Sequence, residues 1–265
     1  MPTATIGSTT IHYQQQGAGR AVVFLHGYPL DSRIWDQQVK GLSAVARVIA
    51  PDLPGFGKSL PPVRFTVESM ADTVHDLLVG IGALPCVLGG LSMGGYIALA
   101  FARKYRKDMA GLMLIDTRAD ADSDQARVAR NKSIELVRSA GAEAIADQML
   151  PKLLGDATRS KRPDIVNRLN DILSECHPLT IEYALGALRD RLDQTLFLPN
   201  IDVPTLVVVG QHDAITPPAV AQGMRDAIPG AILAVIAGAG HMPPMEQPAL
   251  FNEAVAGFLR TVQAK

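Results

Sequence analysis

The chain has 265 residues, of which 48% are hydrophobic and 19% charged, with a formal net charge of −1. That length and apolar content suit one large domain or a core domain carrying an insertion, stable without metal or disulfide staples. A near-zero charge excludes the basic excess of a nucleic-acid binder, so no nucleic-acid partner is expected.

The first ten residues, Met1–Thr10, lack the basic start, apolar stretch and small-residue cleavage site of a secretory signal. Apolar runs such as Ala21–Leu25 are too short to span a bilayer, so no membrane partner and a cytoplasmic location are expected. The two cysteines, Cys86 and Cys176, lie in separate regions and read as reduced thiols rather than a bridge.

Ile6–Tyr13 has strand character and is expected to form a hairpin at the sheet edge. Ala21–Leu25, bounded by glycine, is a continuous apolar run of the kind a strand covered on both faces requires. Arg47–Ala50, Cys86–Leu88, Leu112–Ile115, Thr205–Val209 and Ile232–Ile236 repeat the pattern. Helices fall between them: Met70, Val74, Leu77, Leu78 and Ile81 recur at helical spacing, and Tyr96–Arg106 reads as another helix. Alternation of this kind predicts an α/β fold with a mostly parallel sheet and right-handed crossovers. From about Arg118 to Leu196 the alternation stops. Ala126–Ala140, Ala142–Leu150, Asp164–Glu175 and Thr180–Leu192 read as helices, and strand character returns at Val203. The economical division is a core of residues 1–117 and 197–265 with a helical cap, or lid, of residues 118–196 above the carboxyl ends of the strands.

Chemistry concentrates at those carboxyl ends. Gly90-Leu91-Ser92-Met93-Gly94 follows the strand Cys86–Leu88 and opens a helix, the context in which G-x-S-x-G forms a nucleophile elbow. A serine held in so tight a turn needs neighbours without a Cβ, which glycine supplies. Its hydroxyl needs a base. Of the six histidines, His241 lies in a loop after the last strand, on the rim that carries Ser92. His12, His75 and His177 fall in an edge strand, on a helix face and at the Pro178 boundary, where a structural role is expected, as it is for His212. The base in turn needs a carboxylate to hold its tautomer. Asp213 follows Leu206–Val209 and gives the chain order Ser, Asp, His. Asp116, at the end of the preceding strand, is its rival, and Asp213 is favoured because its loop lies closer in sequence to that of His241. The backbone amides of Met93 and of Tyr28, the latter aimed by Gly27, complete the set as oxyanion donors. His26 is expected to order that loop.

These segments resemble the α/β-hydrolase superfamily, in particular the bacterial carboxylesterase group related to cofactor-free haloperoxidases, perhydrolases and 3-oxoadipate enol-lactonases. The resemblance is carried by His26-Gly-Tyr-Pro-Leu30, Pro51–Ser59, Gly90–Gly95, the Asp213 loop and Gly240-His241, and it runs over nearly the whole chain. It implies an eight-stranded, mostly parallel sheet flanked by helices with a helical cap, and two-step acyl transfer on a small-molecule ester without cofactor or metal. The loop Asp52–Ser59 is structural in such proteins. Lactone opening, peracid formation (Pro29 and Met93 occur in perhydrolase-like patterns), C–C bond hydrolysis and a low-turnover ligand receptor use the same fold and stay open. The enol-lactonases commonly carry Asn-Ser where this chain has His26-Gly27. Leu30, Met149, Leu150, Leu153, Leu173 and Met242 are the apolar residues expected to wall a pocket for short to medium acyl chains.

Overall fold

The computed structural model describes residues 2–263. The chain opens with β1 (Thr3–Ile6) and β2 (Thr9–Gln16), a hairpin whose two-residue turn falls at Gly7 and Ser8. The strand character read from Ile6 to Tyr13 therefore spans a turn. Gly7, with φ +58, takes up a left-handed conformation that breaks the run. Then follow β3 (Ala21–Leu25), α1 (Asp36–Gly41), β4 (Arg47–Pro51), α2 (Val67–Gly80), β5 (Cys86–Leu91), α3 (Met93–Lys104) and β6 (Met109–Ile115). Four helices come before the next strand: α4 (Asp124–Leu153), α5 (Asp156–Lys161), α6 (Pro163–Ser174) and α7 (Pro178–Arg189). The chain closes with β7 (Thr205–Gly210), α8 (Pro218–Ala227), β8 (Ile232–Ile236), α9 (Pro243–Glu246) and α10 (Pro248–Gln263).

The eight strands form one sheet in the order β1-β2-β4-β3-β5-β6-β7-β8. Only the β1–β2 and β2–β4 pairings are antiparallel. From β4 to β8 every neighbour is parallel. Every residue of β3, β5 and β7 is buried, as central parallel strands demand, because helices cover both faces. Successive side chains alternate between two apolar layers. Val23, Leu25, Leu88 and Leu114 pack with α2 and α3 on one side, and Val22, Phe24, Val87 and Met113 pack with Trp35 and Phe251 on the other.

Helix α2 buries Met70, Val74, Leu77 and Leu78 and starts at a reciprocal cap between Thr66 and Ser69. Helix α3 begins at Met93, three residues before its apolar pattern becomes visible, because it grows directly out of the turn at Ser92. In α4 the backbone breaks at Gly141 (φ 78, ψ −170), which separates the two segments read from sequence. Helix α5 has no counterpart in that reading. Its six residues, all polar but Ala157, carry no apolar period, and only Thr158 is buried. No helix among the described residues is long and apolar enough to cross a membrane. Cys86 and Cys176 are unbridged and buried, and burial pushes both thiols up to about 12.

Candidate active site

Strand β5 delivers Ser92 into a backbone conformation that side chains rarely adopt, φ 53 and ψ −112. The surrounding glycines show what makes this possible. A Cβ on Gly90 would lie 2.0 Å from the Gly94 carbonyl oxygen, and one on Gly94 would lie 2.4 Å from that of Leu25. A Cβ on Gly95 would meet Thr117 Oγ1 at 2.4 Å. The Thr117 hydroxyl donates to the Ser92 carbonyl (2.8 Å), and the Ser92 amide donates to Ile115 (2.9 Å), so the elbow is tied to β6.

Next to it runs the loop after β3. A Cβ on Gly27 would sit 3.3 Å from the Ser92 Cβ, which places the Tyr28 amide alongside the elbow. Among the described residues no acceptor takes the amide proton of Tyr28 or of Met93. His26 Nδ1 donates to the Gly27 carbonyl (2.9 Å), while Nε2 accepts from the Leu53 amide (3.0 Å), so the ring is neutral and joins two loops. Burial lowers its pKa, which keeps it so.

The β7 and β8 loops are zipped together by the bonds Gln211 N–H to Ile236 (3.0 Å) and His212 N–H to Ala239 (2.8 Å). Gly210 has no room for a side chain, since a Cβ there would lie 1.8 Å from the Gly240 carbonyl oxygen. This contact brings Asp213 against His241, whose Nδ1–H donates to Asp213 Oδ2 at 2.8 Å. The two residues are 3% and 1% exposed, so the pair is shielded from competing water. Asp213 also accepts from the Thr216 hydroxyl (2.6 Å) and from the amides of Ile215 (2.8 Å) and Thr216 (3.1 Å). Burial alone would push this carboxyl up, but the imidazole and the Thr216 donors outweigh it and hold it at about 2. Sequence reading missed Thr216, three residues beyond the acid.

Asp116, the rival acid, stands at φ 42 past the end of β6 and accepts from the Gly210 amide through Oδ1 (2.8 Å). Its Oδ2 is buried and unpartnered. Burial first, and then the charge of Asp213, hold its pKa well above the ordinary carboxylate range. Asp116, Asp213 and His241 each offer an atom within 4.8 Å of the others, a grouping that resembles a cation site. The lone pairs of Asp213 are taken up by the hydrogen bonds just described.

Ser92 and His241 border one cavity of about 220 Å³, with no hydrogen bond between them. Such bonds are often long before substrate binds. Met149 and Leu153 line this cavity, together with Tyr28, Tyr96, Arg130 and Lys152. The other pocket candidates fall elsewhere. Leu30, Leu173 and Met242 are fully buried in the second apolar layer and Leu150 packs against it. Apolar character alone does not separate a core residue from a cavity wall. Tyr96, Arg130 and Lys152 carried no such signal.

Of the remaining histidines, His12 is half-buried in β2. His75 bonds Asp108 (3.0 Å) and stacks on Tyr105, His177 accepts from the Leu179 amide at the start of α7, and His212 is exposed.

Residues 20–248 match the family model of the α/β hydrolase fold, and the chain belongs to that family of hydrolases. It superposes on a thermophilic esterase from Thermogutta terrifontis, solved with malate bound, with a TM-score of 0.94 and 42% identity over 98% of this chain and 96% of that one. The enol-lactonase of Burkholderia xenovorans gives a TM-score of 0.90 and 26% identity, covering 98% of this chain and 100% of that one. A pimeloyl-[acyl-carrier protein] methyl ester esterase of Neisseria meningitidis serogroup B is 32% identical over 258 residues, 92% of this chain and 95% of the relative.

Proposed function

We propose that the protein is a serine carboxylesterase acting on short- to medium-chain carboxylic esters, with Ser92 as nucleophile, His241 as base and Asp213 as the acid that orients it. One observation carries this reading: the buried Asp213–His241 bond opens onto the cavity that also exposes the elbow serine. In the first step Ser92 Oγ attacks the ester carbonyl carbon while His241 Nε2 takes its proton, and the carbonyl oxygen becomes an oxyanion facing the Tyr28 and Met93 amides. Collapse breaks the bond to the alcohol oxygen, which leaves with the proton from the imidazolium. Water then attacks the acyl-serine, giving its proton to His241, and the acid is released with the Ser92 hydroxyl restored.

The small volume supports short to medium acyl chains, and the inserted helices that wall it act as a lid. Lys152 and Arg130, the latter with its Nε donating to Asp122 (3.1 Å), line the cavity and among the described residues no carboxylate does, which favours esters carrying an anionic group. The malate bound to the similar esterase is itself a dicarboxylate.

An aryl acetate assay tests the reading. Ser92→Ala is expected to lower kcat by on the order of 10⁴- to 10⁶-fold with the fold unchanged by circular dichroism. Turnover at the wild-type rate would end it. Parallel reactions with a lactone, and with hydrogen peroxide as acyl acceptor, separate lactonase and perhydrolase chemistry from simple ester hydrolysis. A chain-length series, with and without a terminal carboxylate, reads the pocket.

A further inference from the structure

A carboxylate with no part in the steps above sits directly behind the base. Glu246, the last residue of α9, is 3% exposed. Its Oε1 accepts from the amides of Gly240 (2.8 Å) and Met242 (3.2 Å), which flank His241 on either side. Its Oε2 accepts from the Gly155 amide (2.9 Å) and the Thr158 hydroxyl (2.7 Å), which belong to the α4–α5 junction and to α5. Between the two flanking amides, the amide of His241 itself donates to the Leu153 carbonyl at the end of α4 (2.9 Å). Three consecutive amides around the base are thus anchored to the inserted helices, two of them through one carboxylate.

The packing at this point is equally close. A Cβ on Gly240 would lie 2.4 Å from the Gly155 nitrogen. A buried carboxylate is tolerated only where donors replace its water, and the four donors here do so. Any displacement of α5 or of the His241 loop would leave that charge short of partners, so the arrangement resists both. The segment that supplies the Leu153 carbonyl also supplies cavity wall, through Met149, Lys152 and Leu153.

We propose that Glu246 is a positioning residue that locks the His241 loop to the α4–α5 junction, so that the inserted helices, and not the sheet alone, set the place of the imidazole. This rests on the reading of His241 as the base. Glu246→Gln keeps the size but turns an N–H₂ group toward the Gly155 amide or toward those of Gly240 and Met242. Thr158→Val removes one donor and leaves the loop residues untouched.

With an aryl ester, Glu246→Gln is expected to lower kcat by about 10- to 100-fold while KM stays within about threefold, because the base is misplaced and not the substrate. Thr158→Val should give a smaller drop with the same split. Labelling of Ser92 by a fluorophosphonate should slow in parallel in both variants, and the low-field Nδ1–H proton resonance of His241 should shift although Asp213 is intact. Lower melting temperatures with kcat, labelling rate and resonance at wild-type values would overturn the proposal and leave Glu246 a packing residue. Should Glu246→Gln fail to fold, Thr158→Val decides alone, and a wild-type rate and resonance in that variant overturns the tie to the inserted helices. If the wild-type protein hydrolyses no ester, the esterase reading fails, while the resonance still reports whether Glu246 and Thr158 hold the ring.

Discussion

Asp116 and Asp213 leave adjacent strands and arrive beside one imidazole, yet their environments drive them to opposite protonation states. Asp213 receives the His241 ring and three donors from Ile215 and Thr216. Asp116 receives only the Gly210 amide and faces the charge of its neighbour. Two buried carboxylates so close do not both ionise, and the one with fewer donors keeps the proton. The consequences for stability have opposite sign. Asp213, held at about 2 against an ordinary 3.8, contributes stability above 3.8 that is lost as pH falls toward about 2. Asp116 keeps its proton in the fold well above the ordinary carboxylate range, so below 3.8 it costs nothing. As pH rises past that value the unfolded chain ionises and the folded one does not, which weighs against the fold. Asp116→Asn stays neutral at every pH, can still accept from Gly210 and can donate to Asp213. It is expected to be at least as stable as the wild type at neutral pH, with the difference shrinking toward pH 4 in urea titrations. A variant less stable at neutral pH would show that an ionised Asp116 is what the fold requires.

Among the elements, α4 decides the shape of the cavity. Its two halves both border the Ser92 cavity, Arg130 and Ser133 from the first and Ile145 and Met149 from the second. A straight helix of that length would carry one of the two halves away. The break at Gly141 (φ 78, ψ −170) lies in a region that is essentially glycine's alone, although nothing lies within 4 Å of the position of a Cβ. Gly141→Ala therefore tests backbone strain without a steric clash, and about 1–3 kcal/mol of stability should be lost in chemical unfolding. The break was legible in sequence because Gly141 interrupts two helical patterns. Helix α5 was not, because Asp156–Lys161 buries only Thr158 and its place comes from the bond to Glu246. The turn inside Ile6–Tyr13 was blurred for a related reason, since only Gly7 marks it.

For the molecule as a whole, both apolar layers run through the inserted helices. Val137, Ile145, Ile181 and Leu185 belong to the layer of α2 and α3, and Ala146, Leu153, Leu169 and Leu173 belong to that of Trp35 and Phe251. Glu246 adds a polar tie at the seam. A core continuous across the insertion predicts one cooperative transition in calorimetry, with the calorimetric enthalpy equal to the van't Hoff enthalpy. Two resolved transitions would mean that the inserted helices unfold separately.

The sequence by itself determined the alternation of strands and helices, the elbow at Ser92 and the loops that carry Asp213 and His241. Each of these rests on local physics: apolar runs that only a covered strand can bury, and glycines at Gly90 and Gly94 where a Cβ would strike backbone. Only the tertiary structure decided which aspartate bonds His241, that Leu30 and Leu173 are core while Arg130 and Lys152 face the cavity, and that Glu246 stands behind His241. Burial and hydrogen-bond partners set these outcomes. They come from residues as far apart in the chain as Gly155 and Glu246, whose meeting no local pattern encodes.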